Sequence, residues 1–312
     1  MPTIVKKNNS KNLLKFIKEK LSKKELVVLP TETVYGLAGI GTSIISARKI
    51  YQLKKRPLNK KLIFHCSNLE MVKKYFHLNN ENLILAEQFW PGPLTLILKR
   101  KSKKIPFQLT QKENCAVRVP KNIFSQNIIN ILGKPIVMPS ANRFKKLSPI
   151  NANMVFDQFR ETNLLIVDDG KCNIGLESTL IKITNKKLEI IRPGKITVKN
   201  ILKFLPYIEI FQGKNKKSFS GTSKKHYSPK KKIFLNQRGF KKDSAFINFG
   251  KDKRGQFKNL SKISNLNEAA KNLYHFIFLA DKNKNYKTIS MAPIPEYDLG
   301  IAINDRLKRA SK

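Results

Sequence analysis

The sequence predicts a mixed α/β (α+β) fold: a first domain of about 200 residues, a basic linker, and a small α/β domain at the C-terminus. Three observations predict it. Short apolar runs alternate with helical stripes from residue 11 to residue 205, the mark of interleaved strands and helices. Residues 213–232, GKNKKSFSGTSKKHYSPKKK, lose that patterning and fill with Lys, Ser and Gly, as linkers do. Patterning then returns over 233–312, a tail of about 80 residues that is small for an independent core and should lean on the first domain. The expected divisions are 1–206, 207–232 and 233–312.

The elements follow in order. KNLLKFIKEKL (11–21) places Leu13, Leu14, Ile17 and Leu21 on one helical stripe. ELVVL (25–29) is a buried strand that Pro30 ends, with TETVYG as a loop after it. SIISARKIYQL (43–53) is a helix with Thr42 or Ser43 as its cap, and KLIFH (61–65) a strand. Helical patterns cover 69–76 and 81–90, and the turn Pro91-Gly92-Pro93 stops the second. LTLILK (94–99), CAVRVP (115–120) and PIVMP (135–139) are strands, with a helix near 122–132. NLLIVDDG, ESTLIKI and KLEIIRPG supply three strands between 163 and 194, and 197–205 is a helix. In the tail, apolar patterning covers 233–249, and helices cover 267–280 and the final DLGIAINDRLKRASK.

Composition narrows the function. Apolar residues make up 41% of the chain, enough for a real core and against global disorder. No window approaches the ~20 apolar residues of a membrane span, and the first residues lack a secretory pattern, so the cytosol is expected. Cys66, Cys115 and Cys172 are too few and too scattered for a disulfide framework or a zinc cluster. The net charge is +41, from 62 Lys+Arg against 21 Asp+Glu. Such a charge suits a polyanion partner, nucleotide or RNA. The lysines nevertheless scatter over every segment, beside many Asn, Ile and Phe with A/T-rich codons. Most of the charge therefore reads as compositional drift, with a smaller share serving anions.

Five motifs carry chemistry. PTETVYGL (30–37) puts hydroxyls and a glycine after a strand, where backbone can approach a ligand. Arg56 and Lys60, in KKRPLNK, are cations suited to clamping a triphosphate, and His65 ends a strand. Arg118 stands inside the apolar run CAVRVP and must find an anion there, a structural or a substrate carboxylate. PSAN (139–142) with Ser148-Pro149, and GLEST (175–179) with Arg192-Pro193-Gly194, offer hydroxyls and amides to oxyanions, or ordinary turns. There is no Walker A pattern, and Gly39-Ile40-Gly41 lacks the third glycine of a dinucleotide fingerprint.

In order and together these motifs resemble the YrdC-like threonylcarbamoyl-AMP synthases, in their long two-domain branch. PTETVYGLAG (30–39), KKRP with Lys60 and LIFH (54–65), FWPGPLTLIL (89–98), AVRVP (116–120), PSAN with SP (139–149), GLESTLI (175–181) and IIRPGKIT (190–197) carry the likeness. SKKHYSP (223–229) looks like the branch's linker motif and LGIAINDRLKRA (299–310) like its terminal helix. The resemblance implies a twisted open mixed sheet, with helices forming a large basic cavity. It implies that threonine and bicarbonate form a carbamate, that this attacks the α-phosphate of ATP, and that pyrophosphate leaves. The product feeds a separate transferase machinery that modifies an adenosine of tRNA. Thr33, His65, Arg118, Ser178 and the backbone at Met138 would hold threonine. Arg56, Lys60, Asn114, Ser140, Ser148, Arg192, His226 and Tyr227 would hold ATP, with Mg²⁺, and Arg56, Lys60 and Arg118 would carry the catalytic charge. The linker at His226 and Tyr227 would cover the site. The chain departs from the usual pattern at Lys55, at Phe144-Lys145 and at Asp298, where the family commonly has Gly, Ser-Gly and Gly, and at Asn114, commonly Thr. The alternatives are an RNA-binding module with weak tRNA affinity, for which aromatic rings exposed among cations would be needed, and a carbamoyl-adenylate former in metallocentre maturation. The latter carries acylphosphatase and zinc-finger segments that this sequence lacks.

Overall fold

A computed structural model describes residues 1–8, 10–211 and 225–312. Half of the expected linker 207–232, residues 212–224, lies outside the described residues, as do the first two residues of its SKKHYSP motif. The strands are β1 (Thr3–Lys6), β2 (Val27–Leu29), β3 (Gly36–Ile40), β4 (Ile63–His65), β5 (Phe76–His77), β6 (Leu94–Arg100), β7 (Asn114–Arg118), β8 (Ile136–Val137), β9 (Leu165–Asp168), β10 (Thr179–Thr184), β11 (Lys187–Arg192), β12 (Glu209–Phe211), β13 (Ile233–Phe234), β14 (Ser244–Asn248), β15 (Lys258–Asn259) and β16 (Thr288–Met291). The helices are α1 (Lys11–Ser22), α2 (Ile44–Lys54), α3 (Leu69–Tyr75), α4 (Asn80–Phe89), α5 (Ile123–Leu132), α6 (Ala152–Gln158), α7 (Val198–Leu202), α8 (Leu266–Lys282) and α9 (Leu299–Ala310).

The first twelve strands form one mixed sheet, ordered β1-β9-β2-β3-β8-β4-β7-β6-β10-β11-β12, with β5 on β6. The last four form a separate parallel sheet, β13-β16-β14-β15, the core of the small C-terminal domain. Alternation in the buried strands sorts side chains into two layers. Val27, Leu29, Ala38 and Ile40 face α1 and α5 through Ile17, Leu21, Phe124 and Ile128, while Val28 and Leu37 face the other side. That second cluster runs on without a break through Leu176 and Tyr227 to Leu273 of α8 and Ile303 of α9, so the small domain does lean on the large one. Gly175 marks the contact: it has φ +79°, and a Cβ there would lie 2.6 Å from the Ala270 carbonyl oxygen of α8.

The expected helices and strands are present with ends shifted by a few residues, and Ser43 rather than Thr42 caps α2 by accepting from the Ser46 amide. The sequence reading lacked β1, β3, β5, α6, β12, β15 and β16, and placed Phe76 of β5 at the end of the preceding helix. Four are short or solvent-facing, with little apolar signal: β1, β12, β15 and the seven-residue α6. β16 (TISM) carries a two-residue alternation too brief to stand out. β3 (GLAGI) is fully buried but glycine-rich, so it resembles a loop. Gly36 is needed there, because a Cβ would lie 2.3 Å from Cγ of Met138. No described helix is long and apolar enough to cross a membrane.

Candidate functional site

The carboxyl ends of β2, β4 and β7 and the start of β3 meet at one place, where open α/β sheets usually bind ligands. The loop after β2 is built by Thr31. Its hydroxyl donates to the Val34 carbonyl (2.6 Å), accepts from the Thr33 and Val34 amides, and lies 2.8 Å from the Thr33 hydroxyl. Arg118, at the end of β7, reaches this loop. Its guanidinium donates to Thr33 Oγ1 (2.8 Å), the Gly92 carbonyl (3.0 Å) and Glu32 Oε1 (2.5 Å). The anion that a buried arginine requires is therefore, in this structure, the carboxylate of Glu32, whose other oxygen accepts from the Lys121 amide (3.1 Å). Those bonds use three of the five donors of Arg118. His65 is in register with Arg118 on the parallel neighbour β4. Burial, with Arg118 adding to it, lowers its pKa to about 3, so it is a neutral imidazole near pH 7.

Two further arginines enter from other elements. Lys55 ends α2 with φ +51°, in the left-handed region, and this turns Arg56 inward. Arg56 donates to the carbonyls of Lys60 (2.9 Å) and Lys61 (3.1 Å), and burial lowers its pKa to about 10. Lys54, also buried, donates to the carbonyls of Ser140 and Asn142 (2.5 Å each). Burial, then Arg56 and Arg143, hold its pKa well below the usual lysine range. Arg192, at the end of β11, donates to the carbonyl and the hydroxyl of Ser178 (3.1 Å each).

The third wall joins both domains. Glu177 accepts from Ser148 Oγ (2.5 Å), Tyr274 OH (3.1 Å) and Arg306 Nε (2.9 Å). Burial alone would raise its pKa, but Arg306 and Arg192 outweigh burial and bring it to about 2. Tyr227 stacks on Tyr274 (centroids 5.6 Å, 29°), lies 5.4 Å from Cζ of Arg306, and has φ +61°. His226 packs edge-on against it. His226 Nδ1, Tyr227 OH and Ser228 Oγ are buried without hydrogen-bond partners, an unusual run in a native structure.

Thr31, Thr33, Arg56, His65, Arg118, Met138, Ser140, Glu177, Ser178, Arg192, His226 and Tyr227 all line a single cavity. Its enclosed space is about 40 Å³, with His226 and Tyr227 in its wall. That is room for a water or two, against the ~300–1,000 Å³ of typical ligand pockets. The basic cavity is thus present in a narrow form. Three proposed residues stand outside its wall. Ser148 lies behind Glu177. Lys60 meets the site through its carbonyl on Arg56. Asn114 starts β7, four residues or roughly 13 Å from Arg118 at the other end, and its Nδ2 is 3.3 Å from the Lys112 carbonyl. The sequence reading assigned nothing to Glu32, Glu177, Tyr274 or Arg306. The available signal was a charged residue inside an apolar run, as in GLESTLI and INDRLKRA, in a chain with only 21 acidic residues. Among the described residues no group of three or more His, Cys, Asp or Glu could hold a metal ion.

Known proteins match along the whole chain. The Sua5/YciO/YrdC family model, described as "Telomere recombination", matches residues 19–194. A second, described as "Threonylcarbamoyl-AMP synthase, C-terminal domain", matches residues 196–312. A threonylcarbamoyl-AMP synthase of Bacillus subtilis is 30% identical over 93% of this chain and 90% of its own length. One of Pyrococcus abyssi is 34% identical over 68% of this chain, a match spanning 64% of that relative. The crystal structure of P. abyssi Sua5 complexed with L-threonine superposes with a TM-score of 0.89 at 26% identity, covering 100% of this chain and 97% of that one.

Proposed function

The chain belongs to the Sua5/YciO/YrdC family, and from that premise we propose that it is a nucleotidyltransferase making L-threonylcarbamoyl-AMP from L-threonine, bicarbonate and ATP, the first step of threonylcarbamoyladenosine formation in tRNA. One observation carries the reading: Arg56, Arg118 and Arg192, from three separate elements, face a single sheltered cavity. The enclosure favours this chemistry over an open RNA-binding surface. We also retain the divisions 1–206, 207–232 and 233–312, and a cytosolic site of action.

Threonine's amine and bicarbonate condense to a carbamate with loss of water. A carbamate oxygen then attacks the α-phosphorus. The new P–O bond forms as the bond to the β-phosphate oxygen breaks, and that electron pair leaves with pyrophosphate. The nucleophile is already an anion, so the protein positions and stabilises charge and need not supply a base. Thr33, His65, Arg118, Ser178 and the Met138 backbone hold threonine, its carboxylate meeting the remaining donors of Arg118. Arg56, Arg192, Ser140, His226 and Tyr227 surround the nucleotide, and the unpartnered groups of His226 and Tyr227 await its oxygens. Ser148 acts through Glu177. Lys60 and Asn114 join only in an opened state. Glu177, the carboxylate of the wall, and Glu32 beside Arg118 are both paired to arginine, so the residues do not form a Mg²⁺ site, and the metal enters with the substrate as MgATP. A closed cavity also shields the carbamate from water.

The test is pyrophosphate release by purified protein with threonine or bicarbonate omitted in turn, with the adenylate product weighed by mass spectrometry. Release that needs both, together with a threonylcarbamoyl adenylate, is expected. Threonine-independent release, or none from folded protein, sinks the proposal.

A further inference from the structure

Arg306 sits on the last helix, α9, yet it is wholly buried and its side chain leaves its own domain. We propose that Arg306 is a positioning residue for the nucleotide, balancing the Glu177 carboxylate so that it competes less for Arg192 and repels the phosphates less while, with Tyr274, it seats Tyr227 over the cavity. The proposal rests on the reading above and assigns the C-terminal domain a part in it.

The geometry is a bracket. Arg306 donates from Nε to Glu177 (2.9 Å) and from NH2 to the Pro193 carbonyl (2.9 Å). Glu177 precedes Ser178, and Pro193 follows Arg192. Arg192 in turn bonds Ser178 through both its carbonyl and its hydroxyl. One guanidinium from the small domain therefore fixes both sides of the seat of Arg192. The strands are in close contact there: a Cβ on Gly194 would lie 2.4 Å from the Thr179 nitrogen and 2.8 Å from the Glu177 carbonyl oxygen. The third donor group of Arg306 meets Asp305 (2.8 Å), which Arg309 holds in turn, so the charges behind the wall are balanced.

Electrostatics gives the reason for this arrangement. A carboxylate in the wall of a triphosphate site repels the substrate and competes for its cations. Glu177 is such a group, and Arg192 is the next cation it feels after Arg306. With Arg306 in place, the charge of Glu177 is balanced from behind and its pull is shared between Arg306 and Arg192. Without it, Glu177 turns to Arg192. Tyr227, set between Tyr274 and Arg306, also loses one face of its seat.

The experiment compares full-length wild type, Arg306→Met, Glu177→Gln and the double variant. It measures steady-state kinetics and, by calorimetry, binding of a non-hydrolysable ATP analogue. Arg306→Met should raise KM for ATP and weaken analogue binding about tenfold, with KM for threonine changed less than threefold. Adding Glu177→Gln should restore most of the ATP affinity, because no carboxylate remains to compete. A merely structural arginine predicts the reverse, since the second change removes more contacts. An ATP affinity that stays the same in folded Arg306→Met, or that Glu177→Gln fails to restore, overturns the proposal. If Arg306→Met does not fold, Arg306→Lys and Arg306→Gln replace it. The lysine should keep ATP affinity within about threefold and the glutamine should lose about tenfold, and equal affinities overturn the proposal. An inactive wild type would instead count against the proposed reaction.

Discussion

Replacing Arg118 by alanine separates the two duties its surroundings give it. Its guanidinium lies 2.5 Å from the Glu32 carboxylate, with both side chains under a tenth exposed. At an effective dielectric of about 20, charges at that separation attract by roughly 7 kcal/mol, most of which offsets the desolvation of both groups. Removing one partner strands the other, and this costs about 3–5 kcal/mol of stability. Alanine also removes the donors assigned to threonine's carboxylate, worth about 3–4 kcal/mol, or a fall of roughly 10²–10³ in kcat/KM. Glu32→Gln tells the two losses apart. It breaks the same ion pair but leaves the guanidinium, now without a competing anion. Urea denaturation and threonine-dependent pyrophosphate release, measured on both variants, give the comparison. Both should be destabilised, whereas KM for threonine should rise steeply in Arg118→Ala and stay level or fall in Glu32→Gln. Equal rises in KM would show that the pair is structural and would refute the clamp.

Further tests follow from particular groups. The Glu177 carboxyl titrates at about 2 in the fold against 4.5 as its ordinary value, so its contribution of roughly 3 kcal/mol is present above about pH 4.5 and lost as pH falls towards 2. Glu177→Gln should flatten that acid limb in a stability–pH profile, and an unchanged limb would deny the network its charge. Tyr227→Phe removes a buried, unpartnered hydroxyl, so it should stabilise the free protein by about 1 kcal/mol while raising KM for ATP severalfold. A stability loss would mean the hydroxyl already has a partner. Asp298 holds φ +45° and ψ −125° with no capping bond, a conformation suited to glycine. Asp298→Gly should raise stability by about 1 kcal/mol, or Tm by roughly 2–4 °C, and a fall in scanning calorimetry would contradict the strain.

The sequence showed long-range order where chemistry forces unusual residues into regular elements. Arg118 within an apolar strand, Arg56 after a helix and Arg192 before Pro-Gly were all visible, and all three face the cavity. Partner choice was not visible. Nothing in the order of residues says that Arg118 meets Glu32, 86 positions away, or that Glu177 meets Arg306 at a distance of 129. Those pairs exist because β7 ends beside the loop after β2 and because Arg306 of α9 reaches the segments just before β10 and just after β11, and both are products of tertiary packing. Elements were lost for a different reason. β3 is defined by its burial between β2 and β8, and its glycines, Gly36 packed closely on Met138 and Gly39 on Ile50, Leu26 and Ser46, hide that from any pattern.

Twelve described residues other than glycine have positive φ, and six of them are lysines or glutamates. Three, Lys55, Lys145 and Asp298, stand where the resemblance leads one to expect glycine. The backbone has kept its shape while the residue best suited to it has gone. At about 1 kcal/mol for each such site, the accumulated strain is comparable with the 5–15 kcal/mol that separates most folded proteins from their unfolded chains. Binding sets free energy against such strain: nucleotide at a hundred times its dissociation constant returns about 2.7 kcal/mol. The substrates of this enzyme are, on that arithmetic, also its scaffolding.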